Sequence, residues 1–432
     1  YARVREQFHI PIGKFEGVQE KLAAIAGTAY QLDAARRLTC AGLDQGHHPA
    51  VISGIMKLQA TERMRTALND AMDIHGGKAV IDGPLNYLGN FYRAIPVGIT
   101  VEGANILTRC LIVFGQGSIR SHPFILKELL ALADTDETRG LAGFDDVFWK
   151  HVGHTTKTFF RAWGRSWSGG LLSPAPNAGA ASRFYRQLGR YAAGFALAAD
   201  FAFLTMGGAL KRRELISARF GDILSELYLL SAALKRWQDE GRQRDDLPLL
   251  RYCMAQGFRT IEARFAEIFA NLPNRPAAWL LKLIVQPFGA KALGPSDTLV
   301  AQCAAILLAP SPARDRLTPG LYHGRNDEGL ARLDRAFALV TETQAIHDRL
   351  KRENRPDWRA AHASDALSNA EARLMEEAEN AVAAAIAVDS FAPEELSPHG
   401  RRTAEDKGQA PDETPPSPPL GGVISDPSLT FH

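Results

Sequence analysis

Apolar residues recur at three- and four-residue spacing from the start of the chain. Phe15, Val18, Leu22, Ile25, Ala29 and Leu32 predict a long, Ala-rich helix with one buried face. Asp44, Gly46 and Pro49 then supply a turn. Ile52, Ile55, Met56, Ala60, Met64, Leu68 and Met72 repeat the period and predict an antiparallel partner, ended by His75-Gly76-Gly77 with glycine where a helix C-terminus favours a left-handed residue. A third helical pattern, Leu85, Leu88, Tyr92 and Ile95, stops at Pro96. A fourth begins after Glu102 and runs through Leu107, Leu111 and Phe114. Four such helices make a bundle.

A second helical region follows Pro123. Ile216, Phe220, Ile223, Leu227, Leu230 and Leu234 mark an amphipathic helix packed on a core, and Pro/Gly-rich breaks separate its neighbours. Gly194 to Leu210 is apolar but short for a membrane span and carries Asp200, so it reads as a buried helix. No strand-alternating segment of useful length occurs, and the fold class is all-α. From Ser397 onward seven prolines with Ser, Gly and charges describe a tail with too little apolar surface to order itself. The organisation read from the chain is therefore 1–118, 119–396 and a tail, 397–432.

Composition narrows the function. A chain that is 46% hydrophobic and 23% charged is an ordinary folded one, and a net charge of +2 gives no footprint for nucleic acid. Cys40, Cys110, Cys253 and Cys303 form no CxxC pair. Neither a metal site nor a disulfide framework is expected, and reduced thiols in a cytoplasmic setting are the default. The chain starts at Tyr1 with no leader-like segment, which reads as a piece of a longer protein.

Candidate chemistry centres on Thr100 to Arg109, TVEGANILTR. Glu102 is a single carboxylate in a run uncharged back to Arg93, at a loop-to-helix junction where Ile99, Val101 and Ile106 could shield it from water and make it a better base. Gly103, without a side chain, would let a substrate approach. The structural alternative is an acid compensating the positive end of a helix dipole. His75-Gly76-Gly77-Lys78 fits neither GxGxxG nor GxxxxGK[ST], and no strand precedes it, so a Rossmann or P-loop reading fails.

Taken together, Arg5-x-x-Phe8, Asp73-Ile74-His75-Gly76-Gly77 and Glu102-Gly103 resemble the C-terminal helical domain of the acyl-CoA dehydrogenases. Within that family FEGVQEKLAAIAG, NDAMDIHGGK, TVEGANILTR and IVFGQGSIRSHPF are similar to the large bacterial fatty acyl-CoA dehydrogenases that carry an additional helical domain. GGALKRRELISARFGDILSELYLLSAALKR, LPNRPAAWLL and DSFAPEEL resemble that domain. The likeness covers about Tyr1 to Leu396.

The resemblance implies a flavoenzyme of fatty acid β-oxidation that uses FAD to dehydrogenate a fatty acyl-CoA to the trans-2-enoyl-CoA. Glu102 matches the catalytic base, Gly103 its substrate-side neighbour, Arg5 the arginine that reaches the FAD pyrophosphate, and Phe8, Asp73, Gly76 and Gly77 match the other FAD-binding positions. A homodimer or larger homo-oligomer is implied, because the family's FAD contacts cross a subunit interface, and an electron-transfer flavoprotein is the implied acceptor. Many members have Gln at Asp73 and Thr at Ala104, so those side-chain contacts do not carry over. The family's N-terminal and middle domains would precede this chain, which alone should be inactive. Acyl-CoA oxidase and a non-catalytic helical assembly module are the alternatives. Packing, oligomerisation and docking on the inner membrane surface are open roles for the additional domain.

Overall fold

The period of the first hundred residues becomes two long helices, α1 (Glu16–Asp44) and α2 (Ala50–His75). Lys21 bonds Asp70 while Arg63 bonds Gln31, a register that makes the pair antiparallel. Ala23, Ala26, Ala34 and Ala35 are buried along α1, small enough to let neighbouring helices approach closely. Before α1 a minimal hairpin pairs Glu6–Gln7 (β1) with Ile10–Pro11 (β2). The computed structural model describes residues 1–325, 328–393 and 395, and the expected tail from Ser397 lies outside them. Tyr1–Val388 forms one compact unit.

Pro96 does not end its helix as its position suggests. Helix α3 spans Gly89–Thr100 with Pro96 inside it. One backbone bond to the Tyr92 carbonyl is lost, but Tyr92 and Pro96 are both exposed, so water replaces the missing donor. The fourth helix is not a uniform α-helix either. Asn105–Leu107 and Gly117–Ser121 flank nine π-helical residues, Thr108–Gln116, and within them Phe114 is buried and stacked on Phe220 with ring centroids 4.5 Å apart.

Beyond Ser121 come α4 (Ile125–Leu132), α5 (Glu137–Trp167), α6 (Ser182–Met206), α7 (Glu214–Asp239), α8 (Leu247–Asn271), α9 (Arg275–Val285), α10 (Asp297–Leu308), α11 (Gly329–Arg352) and α12 (Asn369–Ile386). Helix α7 is the central column. Its Ser217, Phe220, Ile223, Leu229, Leu230 and Ala233 are buried around most of its circumference, as in a helix packed on all sides. Gly221 lets the π-helix lie close, because a Cβ there would sit 3.3 Å from the Arg109 carbonyl. The run Gly179–Leu210 is long and apolar enough to cross a membrane by length and composition. Its Phe184, Tyr191, Leu197 and Ala202 belong to the main core, and Asp200 is 6% exposed, so in this fold it is a core helix.

A polar seam ties the two expected domains together. Arg109 forms a two-pronged pair with Asp222 at 2.8 and 2.7 Å, Arg63 pairs with Glu226, and Arg236, with a side chain 2% exposed, meets Asp33 at 3.2 Å. Arg37 reaches Glu240 at 2.8 Å. The expected boundary at 118/119 falls within the helical run Asn105–Ser121, and the main cluster joins Ala23, Ala26 and Tyr30 of α1 to α6 through α9.

Candidate functional site

Glu102 stands on the four-residue loop between α3 and the helix that starts at Asn105. Its φ is +54° and that of Gly103 is +88°. Glycine suits the second position, whereas a left-handed glutamate costs roughly 1–2 kcal/mol and must be held by its surroundings. The holding residues come from α2. Half-buried Lys57 donates from Nζ to Asn105 Oδ1 (2.7 Å), to the Ile99 carbonyl (3.3 Å) and to the Gly103 carbonyl. Buried Asn105 in turn donates to Thr61 Oγ1 (2.9 Å) and Glu62 Oε1 (2.8 Å). Lys57 and Asn105 were not singled out in the sequence, where neither stands in a pattern that differs from a solvated helix face.

The carboxylate itself makes no hydrogen bond or ion pair with a described residue. It does not cap the helix either, since the N-cap is Ala104 and the first turn holds no acid. Among the described residues the apolar shield expected from the sequence does not form: Glu102 is exposed, Val101 is 48% exposed and Ile106 81%, and only Ile99 is half-buried. The loop lies on the surface, where its backbone groups meet water, and its apolar side chains are left outside with it.

The second group gathers at the far end of α2. Phe8 and His9, with φ of +53° and +63°, form the tip of the hairpin, and Phe8 is 84% exposed with its ring edge-on to Phe15. Arg5 is half-buried, and its guanidinium has no hydrogen-bond or ion-pair partner among the described residues. Tyr1 stacks on His75 at 4.1 Å, which fastens this segment to the α2 C-terminus. His75 Nδ1 donates to the Ala71 carbonyl (2.7 Å), so Nε2 accepts from the Tyr87 hydroxyl (2.6 Å), and burial lowers the ring's pKa to about 4.

Asp73 is exposed, 4.0 Å from Lys21, whose closer partner is Asp70. Gly76 has φ +56° and ψ −132°, which a side chain would strain. Gly77 has no such need. A Cβ on either glycine would meet nothing within 4 Å, so both backbones face open space. Lys57 and Asp73 are sixteen positions apart on α2, or roughly 24 Å at 1.5 Å per residue. The structure therefore brings Arg5, Phe8, Asp73, Gly76 and Gly77 to one end and sets Glu102 and Gly103 apart from them.

Residues 119–391 match the acyl-CoA dehydrogenase C-terminal domain of bacterial type, and residues 1–113 match the acyl-CoA dehydrogenase C-terminal domain. The chain belongs to the acyl-CoA dehydrogenase family. Among solved structures it is similar in fold to an acyl-CoA dehydrogenase from Bacillus anthracis complexed with FAD, at a TM-score of 0.53 and 18% identity. The match covers 71% of this chain and 51% of that one, so the chain spans about half the length of that relative.

Proposed function

We propose that this chain is the base-bearing portion of a FAD-dependent acyl-CoA dehydrogenase that converts fatty acyl-CoA to trans-2-enoyl-CoA in cytoplasmic β-oxidation. One observation carries the reading. Glu102 is an exposed carboxylate in a left-handed conformation, unpaired among the described residues, on a loop that Lys57 and Asn105 hold fixed. An acid with a structural task would cap or pair, and this one does neither, which speaks against the helical assembly module.

In this reading Glu102 removes the proton from the carbon next to the thioester, and the electrons of that C–H bond form the new double bond as the β-hydride departs. FAD, when bound, supplies the hydride acceptor. Gly103 leaves room beside the carboxylate for the substrate, and the Lys57 clamp keeps the base from drifting. Arg5, a cation unpaired among the described residues, fits the FAD pyrophosphate through a charge-assisted contact. Gly76 and Gly77 fit a group lying against bare backbone, since among the described residues no side chain fills the space beside them. The roughly 24 Å between the two groups along α2 supports FAD contacts that cross a subunit interface in a homo-oligomer.

The test is to add a long-chain acyl-CoA to the full-length protein without oxygen and follow flavin absorbance and the enoyl-CoA product. Bleaching with stoichiometric enoyl-CoA, and little peroxide once air is admitted, is expected for a dehydrogenase serving an electron-transfer flavoprotein. Rapid peroxide formation would instead make it an oxidase, and no bleaching would contradict both.

A further inference from the structure

Away from Glu102 and Arg5, a cavity of about 660 Å³ lies among α4, α5 and α6, within the usual range for small-molecule sites. Its walls include Leu129, Leu132 and Leu204, all exposed, while Glu128, His151, Thr155 and Asp200 line a polar end. The lining is thus divided between a long apolar part and one cluster of titratable groups.

Hydrogen bonds fix where the protons of that cluster sit. His122 Nδ1 accepts from the backbone N–H groups of Phe124 and Ile125, both at 3.2 Å, so the ring proton is on Nε2, which donates to Asp200 Oδ1 at 2.9 Å. The other oxygen of Asp200 accepts from Thr155 Oγ1 at 3.0 Å. His151 Nδ1 donates to Glu128 Oε1 at 2.7 Å. In the neutral ring this leaves His151 Nε2 as a lone-pair acceptor, and it has no partner among the described residues.

A metal ion is the first occupant to consider, because donor atoms of His122, His151 and Asp200 lie within 4.8 Å of one another. It fits poorly. A metal needs a lone pair at His122 Nε2, and the two amides at Nδ1 keep the proton there, which leaves fewer than the three protein ligands a catalytic zinc takes. An anionic head group fits no better, since it would sit beside the carboxylates of Glu128 and Asp200. The open acceptor at His151 Nε2 beside an apolar wall suits a neutral donor with an apolar body.

We propose that this cavity binds a single aliphatic chain ending in a neutral hydroxyl, with the chain on the leucine wall and the O–H donating to His151 Nε2. The proposal is independent of the flavin-site reading.

The test uses the full-length protein and three probes of equal chain length: 1-decanol, 1-methoxydecane, which lacks the donor, and decanoate. Calorimetry should rank 1-decanol above the ether by about tenfold, the worth of one hydrogen bond, with decanoate weakest. His151→Asn, whose shorter amide can donate to Glu128 from near the Nδ1 position and leaves no acceptor where Nε2 stood, should bring alcohol and ether to equal affinity. Gly208→Phe should abolish binding of both, because Gly208 lines the cavity and its Cβ position is open. Equal affinities for alcohol and ether in the unaltered protein, tighter binding of decanoate, or binding untouched by Gly208→Phe would each overturn the proposal.

Discussion

Lys57 Nζ lies 2.7 Å from Asn105 Oδ1, and through this contact a helix more than forty residues upstream sets the conformation of the Glu102 loop. Replacing Lys57 by Met removes three donor contacts but keeps the aliphatic stem. In the full-length enzyme the expected result is a fall in kcat of roughly ten- to a hundredfold, since misplacing a base by about 1 Å costs up to two orders of magnitude. Flavin content should not change. Steady-state kinetics with flavin quantitation checks this, and an unchanged kcat would show that the clamp does not position the base.

Arg5 and Gly77 separate ligand contact from folding. Arg5→Ala should lower FAD affinity by ten- to a hundredfold, the equivalent of about 1.5–3 kcal/mol for a charge-assisted hydrogen bond. Gly77→Ala adds a methyl into open space and should leave the melting temperature of the apoprotein unchanged while reducing FAD retention on gel filtration. Full retention in both variants would remove this end of α2 from the cofactor site.

Arg236 tests the seam. Its side chain is 2% exposed, lies over the Tyr30 ring at 4.4 Å, donates to the Tyr30 and Arg316 carbonyls and pairs with Asp33 and Glu240. Arg236→Met removes the donor to the Tyr30 and Arg316 carbonyls, while Asp33 keeps Arg36 and Arg37 and Glu240 keeps Arg37, so it should cost roughly 1–3 kcal/mol, read as a drop in melting temperature. A drop confined to one of two separate transitions would show that residues 1–118 and the helices after them melt independently.

His75 gives a pH signature. The unfolded ring takes up a proton near 6.5, while the buried one does so only at about 4. Between those values the unfolded state binds more protons, so this residue's contribution is complete above pH 6.5 and is lost as the pH falls toward 4. His75→Phe keeps a ring against Tyr1 and should flatten stability against pH in that window. An unchanged slope would show that other groups dominate it.

The helix pattern was legible because apolar spacing follows the helical period, but it did not give the buried face. Of the spaced residues from Phe15 to Leu32 only Leu22 is buried, beside a small-residue stripe through Ala23, Ala26 and Tyr30, and the helix carrying Ile216 to Leu234 is buried on nearly all sides. Pro96 misled because a helix tolerates a lost bond where water can replace it. The π-helical run through Phe114 carries the same apolar period as an α-helix at this length and so left no signature. Glu102, Arg5 and the 73–77 segment could be picked out through a resemblance, but their surroundings could not. Lys57 meets Asn105, Arg109 meets Asp222 and His122 meets Asp200 only after the chain has folded back, at separations of 48, 113 and 78 residues. The missing shield around Glu102 belongs to the same class, since spacing alone does not say on which side of the surface Val101 and Ile106 fall.

The central claim, that Glu102 is the base, is tested most directly by Glu102→Gln in the full-length flavoprotein. Rapid mixing with a long-chain acyl-CoA, without oxygen, reads the reductive step alone. Gln keeps the size and the left-handed backbone but cannot take a proton, so flavin content and acyl-CoA binding should match the unaltered enzyme while bleaching slows by at least the factor of about 10²–10⁴ that general base catalysis supplies. Bleaching at the unaltered rate would contradict the account and send the search for the base outside this loop.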